Sequence, residues 1–113
     1  MDPVNAAAEI TVRHNAEGRR YELVDAGRVV GAAHYVPFGG DERIFYHTTV
    51  DGSHGGRGLS ARLAAFALDD TRALGQRIVA VCPYIRGYVA KHPEYREAVA
   101  PTRPDHLGAV PRG

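Results

Sequence analysis

The sequence lacks most of what would cross-link the chain or place it in a membrane. It has one cysteine, Cys82, and no tryptophan among its 113 residues. A lone cysteine excludes an internal disulfide and a zinc finger built on several cysteines, and it fits a reducing, cytoplasmic environment. No stretch approaches the roughly 18 consecutive apolar residues that a membrane-spanning helix needs, and residues 1–8 lack the segments of a secretory signal. We expect no membrane association.

Excess charge of one sign is also missing. The chain has 14 basic and 13 acidic residues, for a net charge of +1. Domains that bind nucleic acid normally concentrate positive charge, so we expect no nucleic-acid partner. The six histidines form neither a His-Glu-x-x-His motif nor another compact cluster of ligands, so we also expect no metal.

What the sequence does contain predicts one globular domain whose first half is a sheet. Hydrophobic residues make up 44% of the chain and charged residues 24%, the usual range for such a domain. Alternation of apolar and polar residues predicts an antiparallel meander of strands over residues 9–14, 21–25 and 28–36, then a fourth over 44–50. In that fourth strand the alternation places Ile44, Tyr46, Thr48 and Val50 on one face and Phe45, His47 and Thr49 on the other.

The period changes to that of a helix after a glycine-rich break at residues 51–58. Apolar residues at helical spacing predict a long helix from Leu59 that ends near Gly75. A short apolar run at residues 78–81 predicts a central strand, and a short helix follows over 84–91. The predicted fold class is therefore α/β (α+β), with a mixed, mostly antiparallel sheet of about five strands. We place the domain at residues 9–100 and expect residues 101–113 to form a flexible tail.

The glycine-rich break is a candidate phosphate site. Gly55, Gly56 and Gly58 follow a strand and open a helix, where free backbone N–H groups and the helix dipole favour an anion. No Gly-Lys-Ser/Thr sequence follows, so a Walker loop is excluded, and the antiparallel strands disfavour a dinucleotide fingerprint. An ordinary strand-to-helix turn explains the glycines equally well when they are taken alone.

Several segments of the chain, in this order, are shared with a known family. They are His47 in the fourth strand, Gly56-Arg57-Gly58-Leu59-Ser60, Val81-Cys82-Pro83-Tyr84 and His92-Pro93-Glu94-Tyr95. Over about residues 9–100 the chain resembles the GNAT acetyltransferase superfamily, and more narrowly the minimal, single-domain GNAT-like N-acetyltransferases.

This resemblance implies that acetyl-CoA binds in a cleft between the fourth and fifth strands and that the enzyme acetylates a primary amine. The family signature is Gln/Arg-x-x-Gly-x-Gly/Ala, and Gly56 and Gly58 occupy its glycine positions. Ser53 replaces the usual Gln or Arg, so phosphate binding would depend more on backbone amides and on Arg57. The residues that the resemblance assigns to acetyl-CoA or CoA are Val50, Gly55, Gly56, Arg57, Gly58, Leu59, Ser60 and Tyr88.

His47 and Cys82 match the active-site histidine and cysteine of the small GNAT-like family. An amine such as lysine, with an ordinary pKa near 10.4, must lose a proton before it attacks a thioester, and an imidazole can accept that proton. His47 is therefore the candidate base. Cys82 either takes the acetyl group first or only lines the cleft. Because Pro83 has no amide hydrogen, pairing of the fifth strand should end near Cys82 and open the cleft.

Tyr88 lies where such enzymes often place the tyrosine that protonates the CoA thiolate, although packing explains an aromatic residue there equally well. Tyr84 and Tyr95 are expected to be structural. The short chain predicts an open acceptor site, which favours a protein or peptide amine over an enclosed metabolite. Two alternatives stay open: a non-catalytic module that binds CoA or acyl-CoA, and a small nucleotide-binding domain. The sequence leaves the oligomeric state open.

Overall fold

A five-stranded mixed sheet organises the chain, whose computed structural model describes residues 10–52 and 58–111. Its strands lie in the order of the sequence, and β1, β2, β3 and β4 pair as antiparallel neighbours while β5 pairs with β4 in parallel. The predicted fold class is confirmed. The strands are β1 (Ile10–Asn15), β2 (Arg20–Asp25), β3 (Arg28–Phe38), β4 (Glu42–Val50) and β5 (Arg77–Ala80).

Helix α1 (Leu59–Ala73) is the crossover that a parallel pair of strands requires. Leu59, Leu63 and Ala67 recur at helical spacing and are buried against the sheet. The helix ends where the sequence predicts, because Gly75 adopts a left-handed φ of 74°. The amide of Gln76 then donates to the carbonyl of Thr71 at 3.1 Å, which completes a Schellman motif.

Helix α2 (Pro83–Lys91) and a 3-10 helix (Pro93–Ala98) follow β5. Pro83 occupies the start of α2, where its missing amide hydrogen costs nothing. After the 3-10 helix the chain returns to the sheet, and the amide of Ala100 donates to the carbonyl of Ile78 at 2.8 Å. Within the described residues, no helix has both the length and the apolar character that crossing a membrane takes.

The two faces of the sheet carry separate apolar clusters. On the helix face, which α1 and α2 cover, Tyr21, Leu23 and Phe45 pack with Leu63 and Ile85. The opposite face, here called the tail face, has a smaller cluster made by Val36, Ile44, Val79 and Ala100. A side chain of the central strands can therefore be assigned to a face by the cluster it joins.

A β-bulge at Tyr46 corrects the predicted alternation along the fourth strand. His34 pairs with His47, but the next residue, Tyr35, pairs with Phe45, so Tyr46 is an extra residue in β4. Tyr46 packs with the tail-face cluster, and His47 lies beside it. The prediction that Tyr46, Thr48 and Val50 share a face is wrong, since Thr48 and Val50 lie on the helix face with Phe45.

The segment after Ala100 differs from the flexible tail expected there. It forms helix α3 (Pro104–Ala109), whose His106 is fully buried. The Nε2 of His106 is 2.8 Å from Oε1 of Glu42, at the start of β4, and its ring contacts Phe38 at a centroid distance of 4.6 Å. Local sequence signals miss this helix because a partner 64 residues away holds it in place.

The carboxylate of Glu22 neutralises two arginines on the tail face of β1 and β2. It accepts hydrogen bonds from Asn15 at 3.0 Å, Arg20 at 2.6 Å and Arg13 at 2.8 Å, and Glu22 is only 2% exposed. The Asn15 bond is the largest cause that lowers the pKa of Glu22, to about 2, the two arginines also lower it, and burial opposes them. This network makes the face of these strands polar.

Replacing Glu22 with Gln should reduce stability by about 1–3 kcal/mol at neutral pH, because it removes a charged acceptor from three donors. The native carboxyl has a pKa of about 2 against an ordinary 4.5, so this stabilisation is complete above pH 4.5 and is lost as the pH falls towards 2. Urea unfolding at a series of pH values should show the wild-type advantage shrinking in that window. Glu17→Gln, at an exposed turn residue, is the control. A difference in unfolding free energy between the wild type and Glu22→Gln that does not change with pH would contradict the assignment.

Candidate functional site

The parallel strands β4 and β5 separate after a short ladder. Their pairing runs from Glu42 and Arg77 to Phe45 and Ala80. The carbonyl oxygen of Phe45 then accepts the amides of Val81 at 3.1 Å and Cys82 at 2.8 Å. Beyond this point β4 continues to Val50, whereas the segment that follows β5 turns into α2. The pairing therefore ends near Cys82, as predicted from Pro83, and the region between the two diverging segments is here called the gap.

Cys82 lies on the helix-face side of this gap. It is the N-cap residue of α2 and is 4% exposed. Its Sγ donates a hydrogen bond to Oγ1 of Thr48, 3.3 Å away across the gap. The thiol is therefore buried at the side of the gap. The Thr48 hydroxyl that holds it was not among the predicted site residues.

His47 lies on the other side of the sheet. It is exposed, and its ring centroid is 5.8 Å from that of His34, its partner in the β3–β4 register. The two histidines, Tyr46 and Pro111 line a depression of about 250 Å³ on the tail face. The structure therefore places His47 and Cys82 on opposite faces of the sheet. Cys82 contacts Thr48 on the helix face, and the side chain of the preceding residue, His47, points to the tail face.

His34 is a site residue that the sequence analysis left without a role. Burial lowers the pKa of its imidazole below the ordinary 6.5, and the adjacent His47 and Arg20 lower it further, while Glu22 acts in the opposite sense. Its ring is therefore held in the neutral form that can accept a proton. The register between β3 and β4 would have identified His34, because it pairs His34 with His47. That register can be read only once the bulge at Tyr46 is known.

The residue before α1 has a backbone conformation that favours glycine. Gly58 is the N-cap with a left-handed φ of 70°, and a Cβ placed there would meet only open space. No side chain of the described residues caps this end, and its first turn carries no acidic residue. Leu59 is buried and Ser60 half-buried. The first amides of a helix have no partner within the helix itself, so this end can bind an anion. The predicted Gly55, Gly56 and Arg57 lie outside the described residues.

A groove of about 280 Å³ runs between the first turns of α1 and the length of α2. Ala61 lines it from α1, and Pro83, Tyr84, Tyr88 and Lys91 line it from α2. The groove thus connects the free end of α1 with the beginning of α2 at the gap. Its mixture of aromatic rings and one cation suits a long ligand with an apolar arm and an anionic end.

Tyr88 is held in this groove by the segment that follows α2. Its ring stacks on His92 at a centroid distance of 3.9 Å, and the Nδ1 of His92 lies 2.8 Å from the Tyr88 carbonyl oxygen. Burial raises the pKa of Tyr88, with a smaller opposing effect from a hydrogen bond to Tyr95. Tyr95, which is buried, donates to Asp69 of α1 at 2.8 Å. The Tyr88 hydroxyl therefore stays protonated at neutral pH.

Comparison with known proteins identifies the family. The model of the GCN5-related N-acetyl-transferase family matches residues 20–98. The chain belongs to this family. The match confirms the resemblance drawn from the glycine loop and the segments around Cys82 and His92. None of the curated proteins compared with the chain matches its sequence.

Solved structures share the fold of this GCN5-related N-acetyltransferase. A protein from Staphylococcus aureus described as GCN5-like has a TM-score of 0.65 and 17% identity, over 88% of this chain and 96% of that chain. The N-acetylglutamate synthase of Neisseria gonorrhoeae, solved with coenzyme A and N-acetyl-glutamate, has a TM-score of 0.54 and 18% identity. That likeness covers 79% of this chain but only 23% of the synthase.

Membership in the GCN5-related N-acetyltransferase family supports acetyl transfer as the general activity of the chain. The arrangement brings Val50, Cys82 and Tyr88 to the helix face, together with the start of α1. It brings His47 and His34 together on the tail face. Within the described residues, no group of three or more His, Cys, Asp or Glu side chains is placed to hold a metal ion.

The hydrogen bond from Cys82 to Thr48 should limit the reactivity of the thiol. Since Cys82 is the only cysteine, its rate of modification by a thiol reagent can be read on the intact protein. Thr48→Val removes the acceptor but keeps the shape, and we expect labelling to become about two- to tenfold faster, the equivalent of one neutral hydrogen bond. Thr49→Val, at the exposed neighbour that pairs with Ala32, is the matched control. Equal rates in the two variants would show that burial alone protects the thiol.

Proposed function

We propose that the chain is an acetyl-CoA-dependent N-acetyltransferase that acetylates a primary amine. The observation that carries the proposal is the end of the β4–β5 ladder at Phe45, with a groove on the helix face and a histidine-lined depression on the tail face. A thioester reaching the gap from one face can then meet an amine arriving from the other. This geometry separates donor from acceptor without a second domain.

Acetyl-CoA binds, in this proposal, along the helix face. The amides at the start of α1, from Gly58 to Ser60, receive the pyrophosphate, with Gly55, Gly56 and Arg57 before them. The free N–H groups and the positive helix end favour such an anion. The apolar arm follows the groove past Tyr88 to the gap, where Val50 packs against the helix-face cluster.

His47 acts as the general base for the acceptor. The nitrogen of the amine attacks the thioester carbonyl, a C–N bond forms, the C–S bond breaks, and His47 accepts the proton that the amine loses. The exposed position of His47 supports this role, since the acceptor must reach it from solvent. The CoA thiolate takes the proton of Tyr88, a hydroxyl that is protonated at neutral pH and whose pKa is raised by burial.

Cys82 lines the gap rather than carrying the acetyl group. Its thiol is almost fully buried, and its hydrogen is already donated to Thr48. An acyl-enzyme would require that bond to break and a second thioester to fit within the wall. Direct transfer therefore needs less rearrangement. The free thiol also fits a reducing compartment, and we place the enzyme in the cytoplasm.

Gly58→Asp should weaken acetyl-CoA binding by at least about tenfold, because it sets a carboxylate against the pyrophosphate at close range. Gly58→Asn is the matched control, since it has nearly the same shape, tolerates a left-handed φ and carries no charge. Isothermal titration of both variants and of the wild type, with acetyl-CoA, CoA and ATP, makes the measurement. Equal affinities of the two variants would contradict the placement of the pyrophosphate at this end of α1.

His47→Ala should lower kcat about 10²- to 10⁴-fold while the Kd of acetyl-CoA stays unchanged. The deficit should shrink as the pH rises towards the pKa of the amine, because the acceptor then loses its proton without help. Thr49→Ala, at an exposed residue of the same strand, is the control. Steady-state kinetics from neutral to alkaline pH measure both effects.

Three outcomes of these experiments contradict the proposal. Binding of acetyl-CoA without transfer to any amine would make the chain a non-catalytic CoA-binding module, and then His47→Ala has no rate to lose. Binding of ATP in competition with CoA at Gly58 would favour the nucleotide-binding alternative. Absence of binding to both acetyl-CoA and CoA would contradict the donor site altogether.

A further inference from the structure

The C-terminal part of the described chain lies beyond the family match. That match ends at residue 98, whereas α3 begins at Pro104. The position of this segment therefore has to be explained from its own contacts. Those contacts fall on the tail face, where His47 and His34 lie.

His106 anchors the segment with a defined orientation. Its Nδ1 accepts a hydrogen bond from the amide of Arg103 at 3.0 Å, so the ring proton is on Nε2. Nε2 then donates to the carboxylate of Glu42 at 2.8 Å, while Phe38 contacts the edge of the ring. Both ring nitrogens are satisfied, and α3 is fixed on the hairpin formed by β3 and β4.

The chain after α3 runs on towards the candidate base. Val110 packs against the tail-face cluster. The next residue, Pro111, lines the same depression as His34, Tyr46 and His47. The anchor at His106 thus leads, within five residues of sequence, to the wall of the depression that contains the proposed base.

We propose that Pro111, held in place by the anchor at His106, forms one wall of the acceptor pocket and restricts it to an unbranched aminoalkyl group; this inference rests on the proposed function. The depression has a volume of about 250 Å³, which is enough for a small aminoalkyl group. The rigid ring of Pro111 lines this space together with Tyr46 and the two imidazoles. Branching next to the nitrogen would bring the substrate against the ring.

The charges around the pocket favour an amine that gives up its proton. None of the described residues that line it is acidic. The nearby carboxylate of Glu22 is already bonded to Arg13, Arg20 and Asn15. Among the described residues that line the depression, an ammonium group therefore finds no carboxylate, whereas His47 can accept its proton.

The test compares two free amines in the full-length enzyme. n-Butylamine is unbranched and sec-butylamine is branched at the carbon that bears the nitrogen. Pro111→Ala removes part of the wall and should raise the ratio of kcat/KM for the branched over the linear amine roughly tenfold, the effect of about one methylene of space. The change should be in the KM of the branched amine, with the Kd of acetyl-CoA unchanged. Leu107→Ala, at an exposed position of α3, is the matched control and should leave the ratio as it is.

A second variant tests the anchor. His106→Ala should release the whole segment and relax the selectivity in the same direction, with thermal melting as the check on folding. In NMR spectra, Pro111→Ala should also shift the imidazole signals of His34 and His47, which Leu107→Ala should not. A short peptide with one lysine completes the set, because its rate relative to n-butylamine shows whether a protein or a free amine supplies the aminoalkyl group.

An unchanged ratio in Pro111→Ala, while the wild type acetylates n-butylamine, would overturn the assigned wall and leave the proposed function intact. A wild type that binds acetyl-CoA but acetylates neither amine nor the peptide would overturn both. Efficient use of sec-butylamine by the wild type would also contradict the restriction to unbranched amines.

Discussion

The carbonyl oxygen of Phe45 closes the parallel ladder, and the candidate site depends on where it does so. It accepts two amides, those of Val81 and Cys82, so the last bonds of β5 converge on one atom of β4. Pro83 cannot donate a further ladder bond and starts a helix instead. The next residue of β4, Tyr46, is the bulge. One peptide unit therefore separates the paired part of the sheet from the part that opens.

The open part is useful only if the helices around it are held rigidly. Arg43, on the paired part of β4, donates to the hydroxyl of Tyr21, which in turn donates to Asp70 of α1 at 2.6 Å. The guanidinium also lies over the ring of Tyr35 at 4.4 Å. A mostly buried charge is thus satisfied by groups from β2, β3 and α1. Because α1 is one rigid rod of 15 residues, fixing its second half also fixes its first turn beside the gap.

Sequence reasoning succeeds here where the signal is local and fails where it is not. The spacing of Leu59, Leu63 and Ala67 and the stop at Gly75 predict α1 almost to the residue, since helical periodicity and a left-handed glycine are properties of neighbouring positions. The bulge at Tyr46 leaves no such mark, because it is a property of how β4 aligns with β3. Consequently the resemblance to the small GNAT-like family identifies His47, but its face, its partner His34 and its separation from Cys82 could not be predicted. The anchoring of α3 depends on Glu42 and His106, and a contact over that distance in sequence is invisible to local patterns.

The two faces of the sheet differ in polarity and in how they are covered. The helix face buries apolar surface and offers the positive end of α1, as an extended anionic donor with an apolar arm requires. The tail face of β1 and β2 needs no covering layer, because Glu22 and the two arginines bonded to it make it polar. Among the described residues, the C-terminal segment covers the neighbouring part, beside His47. In the proposed function, selectivity for the amine then depends on the shape that Pro111 and the two imidazoles leave open.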